Sequence, residues 1–124
     1  MSKVIRITTI SIGLVDFPET SDIKAQLEWM YQQIGCRYIE TIPTYRFDER
    51  YIMVVDEEGR LTHQPWNAVG SWLYGPGDDI VGTVLLMKEK YTDEGQELCG
   101  MGEDEAKECL RTIGSLLSVR KVEA

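Results

Sequence analysis

Hydrophobic and polar positions follow two different periods along this chain. Val4-Ile5-Arg6-Ile7-Thr8-Thr9-Ile10 is rich in β-branched residues and predicts a first strand. Pro18 and the polar pair Thr20-Ser21 then mark a turn and a helix N-cap. From Asp22 to Ile34 the period changes. Ile23, Leu27, Met30 and Ile34 recur at helical spacing on one stripe, Asp22 suits the positive end of the helix dipole, and Gly35 suits the C-cap. Trp29 falls off that stripe, where packing beneath a neighbouring loop competes with the role of an exposed stacking ring.

Cys36–Ile42 predicts a second strand, with Tyr38–Ile42 its sheet portion, ended by Pro43, and Tyr51–Val55 predicts a third. The charged and aromatic stretch between them, Thr44–Arg50, reads as a surface loop. Asp56-Glu57-Glu58-Gly59 reads as a turn in which Gly59 supplies positive φ, and Arg60-Leu61-Thr62 as a short strand paired back onto the third. Ala68–Tyr74 predicts a short helix with Asn67 as its N-cap and Gly75 after its end. Ile80–Met87 is a nearly unbroken apolar run, the pattern of a central strand buried on both faces, with Gly82 where something packs close. Residues 88–102 are polar, acidic and glycine-punctuated and read as a mobile loop. Glu103–Val119 predicts a final helix with the stripe Ala106, Leu110, Ile113 and Leu117, followed by Arg120-Lys121 at the end a cation favours. The order β-α-β-β-α-β-α predicts a single α+β domain over residues 1–124. Its expected core is a mixed, mostly antiparallel sheet of four to five strands with helices packed on it.

Composition narrows the function mainly by exclusion. The chain has 124 residues and a formal net charge of −8, which opposes direct binding to nucleic acid or to an anionic membrane surface. No apolar run approaches the ~20 residues that span a bilayer, and Met1-Ser2-Lys3-Val4 opens no signal peptide, so a cytoplasmic location is expected. Cys36, Cys99 and Cys109 are odd in number and lack C-x-x-C spacing, which predicts free thiols rather than a disulfide framework. His63 is the only histidine. A zinc site from it and the three cysteines lacks the close ligand spacing such sites use, so no metal and no cofactor are expected.

Phosphate-binding signatures are missing as well. No P-loop and no G-x-G-x-x-G occurs, and Gly95, Gly100 and Gly102 lie in an acidic segment. The carboxylates of Asp56-Glu57-Glu58 and Asp78-Asp79 suit hydrolysis or magnesium binding in principle, although acidic turns are usually just solvated. A more informative set combines rings, guanidinium groups and amides. Tyr38, Tyr45, Trp66, Trp72 and Tyr74 lie close in sequence to Arg37, Arg46, Arg50 and Arg60, with Gln64 and Asn67 between them. Rings stack on a flat heterocycle, arginines receive phosphate, and amides read a base edge. The competing account is that Trp72 and Tyr38 belong to the core and the arginines to the surface.

Several short runs also resemble one known family. Gly35-Cys36-Arg37-Tyr38-Ile39-Glu40-Thr41-Ile42 resembles its glycine–tyrosine–isoleucine–glutamate strand, and Val54-Val55-Asp56-Glu57-Glu58-Gly59-Arg60-Leu61 its acidic turn. Pro65-Trp66-Asn67, Leu73-Tyr74-Gly75 and Ile80-Val81-Gly82-Thr83 resemble its asparagine helix and closing strand. This is the domain-of-unknown-function family numbered 3846, small proteins of phages, plasmids and other mobile elements. The resemblance runs from about Val4 to Met87. It implies no reaction. It implies a setting in which small proteins counter host defence, by sequestering a nucleotide signal or by blocking a protein.

The leading expectation is therefore a non-enzymatic binding protein that holds a nucleotide-derived ligand, with a homo-oligomer shaping the pocket. The alternatives are an acidic inhibitor that docks on a basic host defence protein, and a small hydrolase using carboxylates. The expected site is the junction of the second strand and the Trp66–Tyr74 helix. Tyr38, Glu40, Trp66 and Asn67 are its centre, with Arg46 and Arg60 for an anion. Asn67→Asp keeps a good N-cap and is expected to change stability by no more than about 0.5 kcal/mol, while an anionic ligand facing that position would be repelled.

Overall fold

The apolar run Val84–Met87 occupies the middle of a sheet whose two faces are both covered, which is why it lacks polar alternation. A computed structural model of the chain describes the backbone of residues 1–123 and the side chains of residues 1–117. In chain order the elements are β1 (Lys3–Ile7), β2 (Ile12–Asp16), α1 (Ile23–Ile34), β3 (Ile39–Pro43), β4 (Tyr51–Asp56), α2 (Ala68–Tyr74), β5 (Val84–Thr92), β6 (Gly95–Cys99) and α3 (Glu103–Glu123). The strands lie side by side as β2-β1-β5-β4-β3, and β6 pairs with the outer half of β5. Every pairing between these strands is antiparallel. This is the α+β fold expected, with six strands in place of four to five and no parallel pair.

Side chains alternate between the two faces. Val84 and Leu86 of β5 join Ile5, Ile7 and Met53 in a core shared with Leu73 of α2 and with Ala106 and Ile113 of α3. Leu85 and Met87 join Val4 and Val54 against Met30 of α1 and Phe17. The stripe of α1 is rotated from the expected one. Gln26 and Met30 are its buried residues, Leu27 is half-buried, and Ile23 is 49% exposed. Trp29 packs edge-on against Phe17 at 5.2 Å and belongs to this core. The helix is capped by Asp22, whose side chain accepts from the Lys24 amide, one residue after the Thr20-Ser21 pair.

Two strands arise where the sequence predicts none. The first strand stops at Ile7 because Thr8 Oγ1 accepts from the Ile10 and Ser11 amides and turns the chain back into β2. The segment 88–102, expected to be a mobile loop, continues β5 to Thr92 and returns as β6, with Lys88 opposite Cys99 and Thr92 opposite Gly95. Main-chain pairing holds this ribbon, so its side chains need no apolar alternation.

One expected strand starts late and another is absent. Ile80–Thr83 precedes β5 rather than opening it, since Gly82 sits at φ 75°, outside the extended region. Arg60–Thr62 is a run of turns in which the Thr62 amide donates to Glu58 O and the Gln64 amide to Gly59 O. Gly59 sits in tight space rather than at positive φ: a Cβ would stand 3.0 Å from Val81 Cγ2, which would have to shift. The left-handed residue of that segment is His63, at φ 56°. Helix α3 extends past the expected Val119, while the side chains of Arg120 and Lys121 lie outside the described residues. Among the described residues no helix is long and apolar enough to cross a membrane.

Candidate functional site

A cleft of about 820 Å³ opens beside α2, within the size range of small-molecule sites, about 300–1,000 Å³. Five segments of chain build it, one of them α3 through Leu117. Helix α2 contributes Val69, Ser71 and Trp72, the loop after it contributes Gly75–Asp79, and Trp66 and Arg60 come from the stretch following β4. Arg46 reaches in from the loop between β3 and β4. That loop is fixed to α2 by a hydrogen bond from the Arg46 amide to Leu73 O at 3.1 Å, and by the Tyr45 and Tyr74 rings, 5.4 Å apart.

The aromatic lining has two different characters. Trp66 pairs through its backbone with Val81 and is 58% exposed as a residue. Trp72 is half-buried, its ring lies 5.8 Å beneath the Arg46 guanidinium, and its Nε1 is a buried donor without a partner among the described residues. Arg46 forms no ion pair among the described residues. Arg60 is engaged, because its guanidinium donates to the Asp78 carboxylate and, at 2.8 Å, to Asp79 O. That bond holds the Asp78 carboxyl below the usual range, with burial opposing it. A carboxylate held ionised in this way is a poor proton donor.

The six expected residues therefore separate. Trp66, Arg46 and Arg60 line the cleft together. Glu40 lies in an adjoining cleft of about 260 Å³ with Asp56, Glu57, Asp78, Asp79 and Arg60. Tyr38 lines neither cleft. It is 53% exposed, its ring carries the Arg37 guanidinium at 5.7 Å, and its carbonyl accepts from the Glu57 amide.

Asn67 lines neither cleft and is fully buried. Its Oδ1 accepts from the Gly70 amide at 2.9 Å, which is the expected cap. Its Nδ2 donates to Ile7 O at 3.0 Å and to Gly82 O at 2.8 Å. Both amide protons are occupied, so this side chain has no donor left for a base edge. Ser71 is similarly engaged, with its Oγ bonded to the Ile80 amide and carbonyl. The sequence singles out Asp78 and Asp79 only as candidate carboxylates, and it does not mark Val69, Ser71 or Gly75–Gly77 as site residues, because each carries only the signature of a helix face or a turn.

A second group of ionisable side chains lies on the same side of the sheet. Tyr51 donates to Glu105 Oε2 at 2.7 Å, and Lys88 lies 3.1 Å from the same oxygen. The Tyr51 bond, aided by Lys88, holds the Glu105 carboxyl below its ordinary value, while burial pushes the Tyr51 hydroxyl up. A lowered folded pKa contributes stability above the unfolded carboxyl value and loses it as pH falls through the folded one. Tyr51→Phe is therefore expected to cost about 1 kcal/mol at pH 7 and less at pH 3. Urea unfolding at the two pH values measures this, and an equal loss at both would contradict it.

These features define a small α+β domain with an open aromatic cleft on one face of its sheet. A family model described as a domain of unknown function, DUF3846, matches residues 5–114, and the chain belongs to that family. The match extends beyond Met87, the limit of the resemblance in sequence, through the β5–β6 ribbon and into α3. No curated protein and no solved structure matches the chain.

Proposed function

We propose that the chain is a non-enzymatic binding protein that holds a small, flat, nucleotide-like ligand in the cleft beside α2. The observation that supports this reading most is the exposed Trp66 ring in one cleft with the Trp72 ring and an Arg46 guanidinium that has no ion-pair partner among the described residues. An exposed indole offers a stacking surface, and a guanidinium over a ring leaves its edge donors for an anion. In the phage or mobile-element setting that the resemblance implies, such a protein would act in the host cytoplasm by sequestering a nucleotide-derived signal.

A ligand that binds only the folded state stabilises it, by about 2.7 kcal/mol at a concentration 100 times Kd. Millimolar AMP is expected to raise the thermal midpoint of the wild type, and Trp66→Ala is expected to abolish that rise without lowering the midpoint of the free protein. A panel of nucleosides and nucleotides that leaves the wild-type midpoint unmoved would end this reading.

One observation favours a second reading, an inhibitor that docks on a basic protein. The adjoining cleft sets Glu40, Asp56, Glu57, Asp78 and Asp79 around a single cation, Arg60. Docking there would be salt-sensitive, and a combined Glu40→Gln, Glu57→Gln and Asp79→Asn variant would lose binding to a lysine- and arginine-rich peptide.

A further inference from the structure

The polar groups of the aromatic cleft restrict what it can hold. Two cations and two acids line it: Arg46, Arg60, Asp78 and Asp79. Arg60 is bonded to Asp78 and to the Asp79 carbonyl, so its charge is already matched at the rim. Asp78 and Glu40, together with Asp79, add to the field that favours the charged Arg60. The Asp79 carboxylate is exposed and has no side-chain partner among the described residues. What remains for a ligand among the described residues is the exposed Trp66 ring, one uncommitted guanidinium on Arg46, and one uncommitted carboxylate on Asp79.

We infer that this cleft takes one flat ring system bearing a single anionic group, the chemistry of a nucleoside monophosphate, and disfavours di- and triphosphates. The inference rests on the proposed reading of the cleft as a ligand site. One guanidinium matches one phosphate, and further phosphates meet the Asp79 carboxylate with no second uncommitted cation among the described residues to receive them. The base is held by stacking alone. The Asn67 amide and the Ser71 hydroxyl are both engaged within the fold, and among the described residues the cleft lining holds no side-chain amide. Every base has a ring face, so purines are expected to bind with little distinction between them.

The test is a tryptophan-fluorescence titration of the wild-type chain with adenosine, AMP, GMP, ADP and ATP, without divalent cations. AMP is expected to bind tightest of the adenine series. Adenosine should be weaker by about tenfold, the worth of one charge-assisted hydrogen bond, and GMP should lie within about threefold of AMP. Arg46→Gln should bring AMP to the level of adenosine, while Asp79→Asn should bring ADP and ATP up to AMP or beyond. Affinity that rises with phosphate number in the wild type, or AMP binding untouched by Arg46→Gln, would overturn this inference and leave the ligand cleft standing. Failure of every compound to bind would overturn both.

Discussion

Asn67→Asp is expected to destabilise the fold by about 3–5 kcal/mol at pH 7, the range for a buried charge left without compensation. The change looks conservative, since aspartate caps helices as well as asparagine does. The cap itself survives, because a carboxylate oxygen still accepts from the Gly70 amide. The loss is at the other end of the side chain. Where Nδ2 now donates to Ile7 O and Gly82 O, the variant sets a second carboxylate oxygen against two carbonyl oxygens. Burial and these facing acceptors raise the folded pKa of the new carboxyl above its unfolded value of about 3.9. A raised folded pKa means the favourable, protonated form is fully present below the unfolded value and is lost as pH rises through the folded one. The deficit is therefore expected to be smallest near pH 4 and to grow toward neutrality. Urea unfolding of variant and wild type at pH 4.5 and pH 7 measures both effects. A loss within about 0.5 kcal/mol at pH 7, the cost expected of a simple cap change, would show that the amide does no more than cap α2.

That side chain marks where the sequence stops being legible. The cap at Asn67 follows from local pattern, a polar residue ahead of Ala68 and the spaced apolar positions of α2. Its bond to Ile7 O spans 60 residues, and no local signal encodes it. The same amide anchors the start of α2 to the end of β1 and to Gly82, and so fixes the backbone from which Trp66 projects. The exposed ring and Arg46 were both readable as candidates because their chemistry is conspicuous in any setting. Tyr38 was equally conspicuous, but β3 begins just after it and carries it away from the cleft. Strands whose stability comes from side chains, β4 and the start of β5, were evident from composition. Strand β6, Gly95-Gln96-Glu97-Leu98-Cys99, was not, because only Leu98 of it packs on the apolar core and main-chain bonds to β5 hold the rest.

Leu85→Ala and Leu86→Ala are each expected to cost about 2–5 kcal/mol, and together they are expected to leave the chain largely unfolded at room temperature. The two leucines are neighbours in β5 and both are fully buried, yet they serve separate cores. Leu86 packs in the cluster with Ile5, Met53 and the α2 and α3 residues, and Leu85 in the cluster with Val4, Val54 and Met30. Adjacent residues of a strand point to opposite faces, so the sheet separates the two cavities and their costs should nearly add. The sum, about 4–10 kcal/mol, is comparable with the whole stability of a small domain, about 5–15 kcal/mol. A sheet covered on one face only would give a different pattern, with one leucine costly and its neighbour nearly neutral. Urea denaturation of both single variants distinguishes the cases, followed through Trp29 on the α1 side and Trp72 on the other. A cost below about 0.5 kcal/mol for either leucine, the range of an ordinary surface change, would show that its face is not a core. Two large and separate losses would mean that α1 on one face and α2 with α3 on the other are both needed to hold β5, and with it Gly82 and the Trp66–Val81 pairing at the edge of the cleft.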